Sequence, residues 1–131
     1  MSFAINPLAV LAAAAATFVI GGLWYSVLFA KPWQKAAGVS DEALTSGAAR
    51  IFIGSALLAL VMAVSLAAFI GSGGAVFGLL AGLAAGLTWV AAAFGVNYLF
   101  ERRPLRLWLI NGGYNVIVFG VMGVIIGAMQ A

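Results

Sequence analysis

Few residues in this sequence could do chemistry. The chain has no histidine and no cysteine. That removes the commonest general base, the commonest metal ligand, disulfides and thiolate nucleophiles. Its acidic residues are Asp41, Glu42 and Glu101. Asp41 and Glu42 follow Ser40, a pattern that starts a helix: the hydroxyl caps free N–H groups and the carboxylates face the positive end of the dipole. Neither acid has a basic partner at a defined spacing. We therefore expect no catalytic residue, no metal site and no cofactor, and a protein that is not an enzyme.

The remaining polar groups sit inside apolar stretches. Trp24, Tyr25 and Ser26 lie near the end of the first stretch, Asn97 and Tyr98 near the end of the third. Asn111, Tyr114 and Asn115 lie early in the fourth, and spacings of three and four put them on one face of a helix. An asparagine in hydrocarbon needs a hydrogen-bond partner, because an unpaired group costs on the order of several kcal/mol. These side chains are thus expected to meet in the interior. One reading makes them glue between helices plus an aromatic belt, at about 0.6–2 kcal/mol per bond. The other makes Asn97, Asn111, Tyr114 and Asn115 the lining of a vestibule for a small ligand or ion.

The elements that position these groups follow from composition. Of 131 residues, 66% are hydrophobic and 7% are charged, against about 25% charged in a soluble domain. Such a chain cannot offer water a wettable surface, so its partner is the lipid bilayer. A hydrocarbon core about 30 Å thick takes roughly 20 apolar residues per helix, and four stretches qualify, at about 7–29, 48–70, 76–100 and 105–129. The expected fold is an all-α integral membrane bundle of four transmembrane helices in a single domain. Pro7 opens the first helix and Lys31-Pro32-Trp33 is expected to end it. Gly71-Ser72-Gly73-Gly74 makes a tight turn, and Pro104 separates the last two spans. Ser40-Asp41-Glu42 predicts a short interfacial helix leading into the second span. The first span reads as an anchor rather than a removable signal peptide, because its positive charges follow it.

All six basic residues fall in or just beside two loops: Lys31, Lys35 and Arg50 at the first, about 30–47, and Arg102, Arg103 and Arg106 at the third, about 101–104. Short basic loops stay cytoplasmic, which predicts both termini on the non-cytoplasmic face. Basic residues confined to such loops do not indicate nucleic acid. The third loop's arginines either fix topology or hold anionic headgroups at about 1 kcal/mol each.

Small residues form faces of their own. Gly78, Gly82 and Gly86 recur every four residues in the third span; Gly120, Gly123 and Gly127 do much the same in the fourth, with Gly113 before them. Such patterns let helix backbones approach closely. They predict close packing within one bundle, or a face joining protomers of a homo-oligomer.

Gly22-Leu23-Trp24-Tyr25-Ser26, with Phe29 and Lys31-Pro32-Trp33, resembles the opening motif of the bacterial DUF1761 family of membrane proteins. Val96-Asn97-Tyr98-Leu99-Phe100-Glu101 and Leu109-Ile110-Asn111-Gly112-Gly113-Tyr114 resemble its two other signature stretches. The resemblance implies a four-span protein of the bacterial inner membrane and supplies no reaction or substrate. Gly22-Leu23-Trp24-Tyr25 also loosely echoes Gly95-Val96-Asn97-Tyr98, which would make the chain two helical hairpins in parallel orientation. No span carries an interior carboxylate, which counts against a proton-coupled carrier. Two functions stand: a non-catalytic, self-associating packing or accessory protein, or a passive channel or carrier for a small neutral or weakly charged solute.

Overall fold

The computed structural model describes residues 5–131. Helix α1 (Pro7–Leu28) starts where Asn6 caps it, its side chain accepting from the Leu8 N–H at 3.0 Å, with Pro7 in the first helical position. The last stretch, Leu23–Leu28, widens into a π turn. Phe29 then leaves the helix at φ −127°, and α2 (Ala30–Ala37) begins. The expectation that Lys31-Pro32-Trp33 ends the first helix is corrected here. The break is at Phe29, and Pro32 lies in the first turn of the next helix, where its missing N–H has no partner to lose.

Helix α2 places Trp33, Ala36 and Ala37 inward while Lys31 and Lys35 stay exposed, an amphipathic spacing. Gly38, at φ 71°, ends it in the left-handed conformation that favours glycine. Ser40 does cap a helix, but α3 (Asp41–Leu44) is a single turn and does not run into the next span. Helix α2, not the Ser40 start, is the amphipathic helix between the first two long helices.

Three long helices follow: α4 (Ala48–Ile70), α5 (Gly74–Phe100) and α6 (Leu105–Gln130). Helix α5 carries a second π turn at Gly86–Ala91. With α1, these are four helices long and apolar enough to cross a membrane, so the described chain is an all-α bundle with spans close to those expected. Both described ends of the chain and the α4–α5 turn share one end of the bundle, here the terminal end. Helices α2 and α3 and residues 101–104 lie at the other, the loop end.

Helix α6 is the central element. Of its most apolar stretch 44% is buried, against 22–28% in the other three, and it packs on α1, α4 and α5. Helix α1 also packs on α4. The core sits in the terminal half, where Ala9 and Ala13 of α1 and Ala63 and Ala67 of α4 surround Met122 and Ile126 of α6. Alanines at these contacts bring backbones near enough for dispersion to hold them, which matters because lipid removes the hydrophobic drive between helices. The loop-end half of α4 is different. Residues 48–58 are exposed apart from partial cover at Gly54 and Ala56.

Candidate functional site

The loop-end half of the bundle holds the polar side chains, and Asn111 is their centre. Tyr25 Oη donates to Asn111 Oδ1 at 2.6 Å, and Asn111 Nδ2 donates to Tyr98 Oη at 2.8 Å. One carboxamide on α6 thus joins α1 and α5. The other tethers end on backbone. Trp24 Nε1 donates to the Ile110 carbonyl at 2.9 Å, and Tyr114 Oη to the Thr17 carbonyl at 2.9 Å. The π turn at Leu23–Leu28, with the Phe29 N–H reaching Trp24 O at 2.8 Å, widens α1 where Trp24 and Tyr25 leave it. Tyr25 and Tyr114 pack edge to face at 5.0 Å between ring centroids, a favoured aromatic geometry.

Two of the asparagines behave differently. Asn115 Nδ2 bonds its own helix, at the Asn111 carbonyl, 2.9 Å away. Asn97 is exposed and its side chain bonds nothing among the described residues. Helix rotation explains this. In an unbroken α-helix Asn97 would fall within about 20° of Gly86, on the face turned to α6. The extra residue held in the π turn at Gly86–Ala91 sets the rest of α5 back by about 100°. Asn97 leaves that face and Tyr98 takes its place. The expectation that all the polar side chains bond one another is corrected to a smaller set.

Trp108 belongs to the site and was not among the candidates. Its Nε1 donates to the Ala91 carbonyl at 2.8 Å, at the end of the π turn. A methyl at Gly95 would come within 3.0 Å of that nitrogen, so Gly95 is where the indole fits. Thr17 was also missed. It is the buried polar residue of α1, with its hydroxyl bonded to the Ala14 carbonyl at 2.7 Å. The one signal for either was a polar atom inside an apolar run.

Helix α2 closes this end. Trp33 meets Tyr25 edge-on at 5.6 Å, and Arg103 Nη1 donates to the Ala37 carbonyl at 3.2 Å. The Arg103–Glu101 pair, at 3.4 Å, is exposed and adds little.

The glycine rows of α5 and α6 lie against each other. A methyl at Gly78 would run into the Gly123 carbonyl, one at Gly82 into Phe119 O, and one at Gly127 into Gly74 O. Gly86 lies against Asn115 and Val116, and Gly120 against Leu83. Both glycine faces are therefore occupied within one chain. At the terminal end Gln130 ties three helices. Its Oε1 accepts from the Asn6 N–H at 2.8 Å, and its Nε2 donates to Ala67 O at 3.1 Å and Gly71 O at 2.9 Å.

A family model described as a protein of unknown function, DUF1761, matches residues 8–127. The chain belongs to the DUF1761 family. In this DUF1761 member the polar cluster and both glycine faces lie inside the matched region, whereas Asn6 and Gln130 lie outside it. No curated protein and no solved structure matches the chain.

Proposed function

We propose that this DUF1761 protein is a non-catalytic, self-associating packing or accessory protein of the membrane, docking through the loop-end half of α4. One observation carries the reading: residues 48–58 of α4 are left largely uncovered by their own chain, while the glycine faces are already filled internally. Ser55, Ala59, Ala63 and Ala67 form one line along α4. The three alanines are buried in the bundle and Ser55 is exposed. Gly54 and Ser55 would let a second backbone come close, and the serine hydroxyl would bond across, which are the forces that join helices in lipid.

The chain's lack of cysteine makes the test direct. Ser55→Cys or Leu58→Cys should cross-link into dimers in native membranes, whereas Leu99→Cys on α5 should not. A strict monomer in nanodiscs with no α4 cross-link would sink the reading.

We place the loop end in the cytoplasm of a bacterium and both termini across the inner membrane, because all six basic residues gather at that end. Ser72→Cys should then react with an impermeant thiol reagent in spheroplasts and Ser40→Cys should not. Labelling in the opposite sense would invert the topology.

The second reading, a passive pore through the asparagines, draws less support. The Asn111 carboxamide is bonded on both sides, and Asn97 lies away from it. Solute flux through purified protein in liposomes would revive it.

A further inference from the structure

A second feature lies on the other half of α4. Although a short turn joins α4 to α5, the glycine contacts draw α5 onto α6. A wedge is left between α4 and α5, opening sideways to the bilayer, with a volume of ≈ 390 Å³. Met62, Ser65 and Phe69 form one wall, Ala84, Thr88 and Trp89 the other, and Phe119 of α6 lies at its floor. The volume falls in the range of small-molecule sites, about 300–1,000 Å³.

The lining specifies the occupant. It contains no charged side chain, and a charge at this depth is costly. Thr88 is already bonded, to the Ala84 carbonyl at 2.6 Å, but the Ser65 hydroxyl and the Trp89 N–H have no partner among the described residues. Trp89 is the anomaly. It is 69% exposed and stands about 22 Å along α5 from Gly74, near mid-bilayer, whereas tryptophan favours the interfaces. The other two tryptophans within the spans, Trp24 and Trp108, both donate their N–H to carbonyls. Trp89 and Thr88 also lie on the π turn Gly86–Ala91, a distortion that recurs at functional sites.

We propose that this wedge binds a neutral, lipid-soluble molecule with a flat, carbonyl-bearing head on an apolar tail, the chemistry of a membrane quinone. The carbonyls accept from Trp89 Nε1 and Ser65 Oγ, the head lies against the aromatic faces of Trp89, Phe69 and Phe119, and the tail runs out between α4 and α5. A phospholipid chain would fill the volume but bring no acceptor, because its ester oxygens stay at headgroup level. The site is on the terminal half of α4, so it stands or falls independently of docking through residues 48–58.

The test uses the full chain in quinone-free phosphatidylcholine nanodiscs, titrated with decyl-ubiquinone and followed by tryptophan fluorescence. Wild type should show saturable quenching above the linear background from quinone dissolved in lipid. Ala84→Leu, which fills the wedge, and Ser65→Leu on the opposite wall should each abolish the saturable part with helicity and thermal midpoint unchanged. Ser65→Ala should weaken the midpoint about three- to tenfold, and Trp89→Phe should remove the quenched signal. Quenching that is linear and identical in all variants would overturn the proposal. So would saturation that survives both leucine variants, or Ala84→Cys cross-linking wild-type-like protein into dimers through the wedge.

Discussion

The two halves of α6 hold their neighbours in opposite ways. Toward the terminal end, Gly123 and Gly127 lie against the backbone of α5 with no room for a methyl. Toward the loop end, Asn111 and Trp108 reach α5 through long side chains, to Tyr98 and to the Ala91 carbonyl. The first half depends on the absence of side chains and the second on their presence. Contact between backbones must be shape-perfect, because dispersion fades within an ångström. A hydrogen-bonded tether tolerates distance but needs every polar atom satisfied. The glycine half is therefore intolerant of added bulk and the polar half of lost partners.

That contrast can be broken, starting from the glycine side. Gly78→Leu forces α5 off α6 and should cost about 3 kcal/mol or more, measured as a shift in SDS-induced unfolding in mixed micelles; Gly22→Leu on α1, where a Cβ meets nothing within 4 Å, should cost far less. Equal losses at the two positions would refute the close-contact account. On the polar side, Asn111→Leu strands the Tyr25 and Tyr98 hydroxyls and should cost about 2 kcal/mol. A double-mutant cycle with Tyr25→Phe should give a coupling of about 0.6–1.7 kcal/mol, and a coupling of zero would mean the two side chains act independently.

Smaller effects sharpen the same comparison. Trp108→Phe removes one N–H tether and keeps the ring, so a loss of about 0.6–1.7 kcal/mol is expected, together with faster hydrogen exchange around Ala91 and Gly95. Unchanged exchange there would show that the bond does not hold the π turn. Asn97→Ala should lie within about 0.5 kcal/mol of wild type. A penalty as large as that of Asn111→Leu would mean that Asn97 faces the bundle after all.

Much of this was legible from local spacing, and the exceptions share a cause. Glycines four apart marked the close face because period and size are both local properties. Asn111 and Tyr114 were marked because a polar group in hydrocarbon must pair. Asn97 met the same criterion, yet the π turn at Gly86–Ala91 turned it away, and no residue pattern announced that turn. Trp108 and Gln130 escaped notice because each bonds a backbone carbonyl of another helix, and every residue carries such a carbonyl. Pro32 signals a helix boundary from either side. The sequence did not say that the boundary preceded it.

Apolar length and the scarcity of charge were sufficient by themselves to establish four spans, since a hydrocarbon layer admits only helices that satisfy their own backbones. The glycine period similarly established that α5 and α6 would each present a face for close approach. Only the tertiary structure decided that these two faces meet each other, that Tyr98 and not Asn97 reaches Asn111, and that Trp89 is left without a partner in a wedge beside α4. Those outcomes depend on helix rotation and separation. Both are set by π turns and by contacts distributed over the other helices, and spacing along one helix does not encode them.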